Sequence, residues 1–248
     1  MNTPDAIIFD LDDTIIDDSG AVSACWEQAC HEAAARIAGL DPAALRAAFE
    51  RERDSFWSDP GRLREGRLDL RAASTSIVGQ ALRSLGLDVP GAAAEIANRY
   101  RDLREERLCL FPGAVETLEW FRSRGVRLGM ATNGDAAGQR AKIVRFGLAP
   151  YFDRIIIEGE FGFGKPEREV YEALLASLGT EPAKTWFVGD NLEFDVGAPQ
   201  SFGVYGIWVD RDSEGLAFAP VSSLGARPSR TSIQPDRIIR SIGELIEA

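Results

Sequence analysis

A single histidine, His31, in a chain of 248 residues removes two large classes of chemistry. It rules out a metal centre built on several imidazoles and acid–base catalysis shared between two of them. His31 falls in a helical pattern away from the acidic segments discussed below, where a lone ring needs no role beyond structure or surface. Cysteine is scarce as well. Cys25, Cys30 and Cys109 cannot make a complete disulfide framework, which fits a reducing compartment. At about 100° per residue Cys25 and Cys30 lie roughly 140° apart on a helix, so these two and His31 do not converge on one ion. No apolar run reaches the roughly 20 residues needed to cross a bilayer. The first five residues lack the basic and apolar regions of a secretory signal, so a cytoplasmic location is expected, with no membrane partner. Positive charge is in deficit: 28 Lys and Arg against 39 Asp and Glu leave a net charge of -11, which disfavours nucleic acid and anionic lipid as partners.

What is present is organised around Ala6-Ile7-Ile8-Phe9-Asp10-Leu11-Asp12-Asp13-Thr14. The branched apolar run reads as a buried strand, and it ends in three carboxylates and a hydroxyl. On an extended segment Asp10 and Asp12 point the same way while Leu11 turns inward. Two hard anionic oxygens so placed suit Mg2+. An Asp-rich turn or helix cap is the alternative for this segment taken alone.

From Asp18 to about Leu108 the periodicity is helical. Val22, Trp26, Ala29, Cys30, Ala33 and Ile37 form one stripe, and further helices are predicted over 41–56, 69–85 and 91–108. Between the second and third, Arg51, Arg53, Arg62, Arg64, Arg67 and Arg71 alternate with acids around Phe56 and Trp57. They read as a solvated face, or some of them as contacts for an anionic substrate. After Phe111-Pro112-Gly113 the pattern switches to alternating helices and strands. Strands are predicted at 126–132, 155–157, 185–188 and 204–209, and a short one at 237–239 precedes a helix from Ser241 to the end. Pro166 is expected to start a helix that Gly179 stops, and the helix after Gly189-Asp190 to begin near Phe194 or Asp195, because Pro199 is poorly placed for an earlier start. Residues 211–235 fit no period. The alternation predicts an α/β fold, a doubly wound parallel sheet of Rossmann type, with an inserted helical domain. The domains are 1–17 with 109–248, and 18–108.

Ligands of such sheets bind at the carboxyl ends of the strands. Asp10 and Asp12 follow the first strand, Thr132 and Asn133 the second, and Asp190 with Asp195 the fourth, while Lys165 precedes the helix after the third. The run Gly159 to Lys165 matches the spacing of a phosphate-binding P-loop. The hydroxyl residue that should follow the lysine is Pro166, which supplies neither a Mg2+ ligand nor an N–H.

Four ordered segments, Phe9-Asp10-Leu11-Asp12-Asp13-Thr14, Ala131-Thr132-Asn133-Gly134, Gly164-Lys165-Pro166 and Val188-Gly189-Asp190-Asn191-Leu192-Glu193-Phe194-Asp195, resemble the motifs of the haloacid dehalogenase (HAD) superfamily. The helical insertion resembles the cap of one subgroup, with Phe111-Pro112-Gly113 marking the return to the core. The resemblance implies Asp10 as nucleophile and Asp12 as general acid and base. It implies Mg2+ held by Asp10, the Asp12 carbonyl and Asp190, and phosphate contacts from Thr132, Asn133 and Lys165. Asp195 is expected to orient Lys165 or a metal-bound water. Because the dehalogenase branch lacks the second acid and the metal, Asp12 and Asp190 favour a phosphatase of a small phosphorylated metabolite, similar to the phosphoglycolate and acylneuraminate-phosphate members. A phosphomutase using the same phosphoenzyme and a non-catalytic binding protein are the alternatives. Monomer and homodimer are both compatible with the sequence.

Overall fold

The computed structural model describes residues 3–211 and 233–246. The described chain divides into two compact units, one running to Asp17 and resuming at Cys109, the other comprising Asp18–Leu108.

The first unit is built on a six-stranded sheet whose paired strands are all parallel. Its strands are β1 (Ala6–Phe9), β4 (Arg127–Thr132), β5 (Arg154–Ile157), β6 (Thr185–Gly189), β7 (Tyr205–Val209) and β8 (Arg237–Ile239), in the spatial order β5-β4-β1-β6-β7-β8. All four residues of β1 are buried, the burial expected of a central strand covered on both faces, and this is why it reads as an unbroken apolar run. The chain moves outward from β1 on one side through β4 and β5, then returns to place β6 on the other. The strand order therefore reverses next to β1, where an open α/β sheet leaves a crevice. Phe9 lies opposite Met130 and Val188, so β1, β4 and β6 end close to one level, and the Asp10 N–H extends the ladder to the Val188 carbonyl at 2.9 Å. One face is covered by α9 (Arg168–Leu178), which packs Val170, Tyr171, Leu174 and Leu178 over Ile8, Ala131, Ile156 and Phe187.

Two helix starts differ from the sequence expectations, and the helix expected from Ser241 is a short 3-10 turn. Helix α9 begins at Arg168 rather than Pro166. Glu167 is extended at the N-cap, and the Gly164 N–H donates to its carboxylate while its own N–H returns to the Gly164 carbonyl, so a tight turn occupies the positions where Pro166 would start the helix. After β6 the helical backbone begins at Leu192, earlier than Phe194, with Asn191 as N-cap accepting from the Glu193 and Phe194 N–H groups. Pro199 is accommodated because Leu192–Gly197 is a π-type turn. A separate short helix, α10 (Ala198–Gln200), then starts with the proline in its first turn, where no N–H is needed. At the end of the chain Ser241 caps a 3-10 turn over Ile242–Leu245 with Glu244 completing a capping box.

Two further strands, β2 (Ile16–Asp17) and β3 (Cys109–Leu110), pair antiparallel where the chain leaves the α/β unit and where it comes back. The remaining helices of this unit are α6 (Ala114–Ser123), α7 (Ala136–Arg145) and the single turn α8 (Glu158–Phe161). The stretch 211–235 lies outside the described residues apart from Arg211 and 233–235. Arg211 donates to the Asp13 and Thr14 carbonyls at 3.2 and 3.0 Å and lies over the Phe111 ring.

The second unit contains α1 (Val22–Ala34), α2 (Pro42–Trp57), α3 (Pro60–Leu68), α4 (Leu70–Ser84) and α5 (Ala92–Arg107). Helix α3 was not expected from the apolar pattern. It carries the same start as α2, an Asp N-cap followed by proline, Asp59-Pro60 after Asp41-Pro42. The unit's core centres on Trp26, which stacks on Tyr100 with ring centroids 4.2 Å apart and also meets Phe49. Trp57 is buried, and Gly66 lets α3 approach it, since a Cβ there would lie 2.7 Å from the ring. Among the arginines of this region Arg53 pairs with Asp54, Arg62 with Asp59, and Arg71 donates to Asn98. Cys25 and Cys30 are buried, Cys109 and His31 exposed. Among the described residues no helix is long and apolar enough to cross a membrane.

Candidate active site

Asp10 is the first residue past β1, and 5% of its surface is exposed. The chain then turns sharply: the Ile15 and Ile16 N–H groups both donate to the Leu11 carbonyl, and Asp13 adopts φ 58°, a left-handed conformation uncommon for a residue with a Cβ. This turn places Asp10 and Thr14 near each other, the Thr14 hydroxyl 3.5 Å from Asp10 Oδ2.

Lys165 joins the segments. Its buried ammonium donates to Asp10 Oδ1 and to Asp195 Oδ1, both at 2.6 Å. Its main chain is held by Asn133, whose side-chain amide donates to the Lys165 carbonyl at 2.7 Å and whose Oδ1 accepts the Lys165 N–H at 2.8 Å. The lysine of the P-loop-like run thus reaches carboxylates. Asp195 is fully buried, and its second oxygen accepts the Asn191 N–H at 2.9 Å. Gly189 is required for this arrangement, because a Cβ there would sit 2.3 Å from the Asp195 carboxyl carbon.

Asp190 stands beside them. Oxygens of Asp10, Asp190 and Asp195 lie within 4.8 Å of one another, and the Asp190 carbonyl accepts the Trp208 indole N–H at 2.8 Å. Burial, opposed by Lys165 and reinforced by Asp195, raises the Asp10 carboxyl from 3.8 to about 6. Burial and the charges of Asp13, Asp10 and Asp195 push Asp190 well above the ordinary carboxylate range. Burial alone would lower Lys165, but the two carboxylates outweigh it and raise its pKa. Such a cluster holds more negative charge than one ammonium balances. A small divalent cation fits its all-oxygen donors, and Asp195, already committed to Lys165 and Asn191, is better placed as a support than as a ligand.

Asp12 and Thr132 meet on helix α7. Asp12 Oδ1 accepts Lys142 Nζ at 2.7 Å, and Oδ2 accepts Gln139 Nε2 at 2.8 Å; the same Gln139 amide also donates to the Thr132 hydroxyl oxygen. The fold therefore brings Asp10, Lys165, Asp190 and Asp195 into one cluster and links Asp12 to Thr132 through Gln139. Sequence reasoning missed Gln139, Lys142 and Glu158. Gln139 had a visible signal: it shares the buried face of α7 with Ile143, where an apolar residue belongs. Glu158 is buried under the loops and accepts the Gly134 N–H at 3.1 Å, and Gly164 packs against its carboxylate. Nothing in its sequence neighbourhood marks it.

The profile of the haloacid dehalogenase-like hydrolases matches residues 4–203, and a second HAD-hydrolase-like profile matches 162–245. A phosphoserine phosphatase of Thermus thermophilus is 34% identical over 170 residues, 68% of this chain and 62% of that protein, so the chain spans less than two thirds of that relative. A glyceraldehyde 3-phosphate phosphatase of Methanopyrus kandleri is 27% identical over 83% of this chain and 84% of that one. Among solved structures, the HAD-hydrolase YfnB of Bacillus subtilis, bound to magnesium, aligns over 99% of this chain and 98% of its own with a TM-score of 0.71 at 21% identity, a likeness of fold. With the profile covering the greater part of the sequence and the parallel sheet in place, the chain belongs to the haloacid dehalogenase-like hydrolases.

Proposed function

We propose that the chain is a Mg2+-dependent phosphatase of a small phosphorylated metabolite, working through an aspartyl-phosphate on Asp10. The observation that carries this reading is the pair of acids added to the Asp10–Lys165 core: Asp12 two residues on, and Asp190 within the 4.8 Å cluster. A displacement of halide by a carboxylate needs neither. The identity to phosphatases supports the reading at the level of reaction class.

Mg2+ would be held by Asp10, the Asp12 carbonyl and Asp190; when bound it lowers the repulsion between the carboxylate and the phosphate. In the first half-reaction an Asp10 oxygen bonds to phosphorus as the bond to the leaving oxygen breaks, and Asp12 hands that oxygen a proton. In the second, water attacks the same phosphorus, its proton passes to Asp12, and the bond to Asp10 breaks to return the carboxylate and release phosphate. Thr132, the Asn133 backbone amide and Lys165 donate to the phosphoryl oxygens as charge accumulates on them. The Asn133 side chain supports this through the Lys165 main chain, and Asp195 holds the ammonium in place. These residues all belong to the α/β unit, so we assign the chemistry to it and substrate choice to the helical unit as a cap.

The test is phosphate release from a panel of phosphorylated metabolites, with Mg2+ or with EDTA, by wild type and Asp10→Asn. Metal-dependent release that the variant loses by at least 1,000-fold is expected. Full activity in Asp10→Asn would remove the nucleophile, and isomer formation without phosphate release would make the protein a mutase.

A further inference from the structure

The reaction assigned above needs Asp12 in one place twice, once to give a proton and once to take it. An aspartate at the tip of a tight turn is not fixed by the turn itself, because χ1 and χ2 remain to be set. Here both of its oxygens are engaged by one helix. Lys142 Nζ lies 2.7 Å from Oδ1 and Gln139 Nε2 lies 2.8 Å from Oδ2. Gln139 and Lys142 are three apart on α7, hence on one face, and Asp135 caps that helix by accepting the Gly138 N–H at 2.7 Å. The orientation of the Gln139 amide follows from chemistry: a carboxylate only accepts, so the group facing Asp12 is the NH2. That NH2 has two hydrogens and uses the second on the Thr132 oxygen. Thr132 then accepts at its oxygen and keeps its own proton for a phosphoryl oxygen.

We propose that Gln139 and Lys142 are positioning residues that fix the Asp12 carboxylate for proton transfer, with Gln139 also setting the donor direction of Thr132. Neither touches the reacting atoms; each acts through another side chain. The assignment rests on Asp12 being the general acid. Displacing a catalytic group by about 1 Å costs on the order of 100-fold, and the loss is confined to substrates whose leaving oxygen must be protonated.

The experiment compares kcat/KM for p-nitrophenyl phosphate, whose phenolate departs without a proton, with kcat/KM for the alkyl phosphate that wild type hydrolyses fastest. This ratio reports steps up to phosphoryl transfer and leaves out the later attack of water. Variants are Lys142→Met and Gln139→Met, close in size to the residues replaced, with Lys142→Arg as the conservative control and Asp12→Asn as the reference. Lys142→Met is expected to lose about 10- to 100-fold on the alkyl phosphate and less than about 3-fold on the aryl phosphate, with Lys142→Arg recovering most of the loss. Gln139→Met is expected to show the same excess loss on the alkyl phosphate over the aryl phosphate, on top of a smaller loss common to both substrates because Thr132 is released. Equal losses on both substrates for Lys142→Met, with melting unchanged, would overturn the proposal, as would a gain in activity, which would make Lys142 a sequestering residue. If Asp12→Asn itself shows no selectivity for the alkyl phosphate, the general-acid reading fails first. If Asp12→Asn is selective and the helix variants are not, only the positioning role fails.

Discussion

Replacing Lys165 by methionine keeps the length of the side chain and removes the one cation between Asp10 and Asp195. The two carboxylates then face each other across no more than 4.8 Å, with 5% and 0% of their surfaces exposed. At an effective dielectric constant of about 20, unit charges at that distance repel by about 3 to 4 kcal/mol. Measured losses on removing one partner of a buried pair are about 3–5 kcal/mol. We therefore expect Lys165→Met to unfold about 3–5 kcal/mol more easily than wild type at pH 8, measured by urea titration with EDTA present so that no cation occupies the gap. The deficit also depends on pH with a definite sign. The Asp10 carboxyl already stands at about 6, above its ordinary 3.8, and loss of the ammonium raises it further. A group whose folded value lies above its unfolded value favours the folded state at low pH and loses that contribution as pH rises through the folded value. The deficit is thus smaller at pH 5, where Asp10 is protonated, than at pH 8. A deficit below about 1 kcal/mol at pH 8, or one equal at the two pH values, would refute the view that Lys165 holds two mutually repelling carboxylates together.

Gly189→Ala introduces a Cβ 2.3 Å from the Asp195 carboxyl carbon; it should displace Asp195, lower the melting temperature and reduce the phosphate release proposed above by more than 10-fold, and an unchanged melting temperature would disprove the steric reading. Of the three thiols, Cys109 is exposed while Cys25 and Cys30 are buried, and burial pushes Cys30 up to about 11. With a disulfide reagent at pH 8, one thiol should react rapidly in the native protein and the other two only on unfolding, as read by absorbance.

Much of the architecture could be read in advance because both periodicities are unambiguous. An unbroken apolar run such as Ala6–Phe9 has few readings other than a strand buried on both faces, and stripes such as Val22, Trp26, Ala29 and Ala33 close one side of α1. Position within such segments is less well encoded. The start of α9 turned on the Gly164–Glu167 turn, and that of the helix after β6 on the Asn191 cap, both settled by hydrogen bonds between residues a few positions apart. Helix α3 was missed although Asp59-Pro60 announces it, because its residues Pro60–Leu68 include four charged side chains and two glycines and present no apolar stripe. The acids at the strand ends were legible because carboxylates there have few structural uses. Gln139, Lys142 and Glu158 were not, since each acquires its meaning only when α7 or the β5–α9 loop folds against a segment distant in the chain.

The pairing of β2 with β3 sets Asp17 opposite Cys109 and Ile16 opposite Leu110. In an antiparallel ladder such partners have Cα atoms about 4.5–5.5 Å apart, a gap that a two-residue hairpin turn spans in ordinary proteins. Seen from the α/β unit, the whole of Asp18–Leu108 occupies the place of a turn. An elaborate helical unit and a minimal Asn-Gly reversal are therefore interchangeable as far as the backbone at this junction is concerned, and the sheet carries no geometric record of which of them it holds. A unit anchored in this way can be lengthened, shortened or exchanged without moving Asp10, whose placement depends on β1 and its two neighbours.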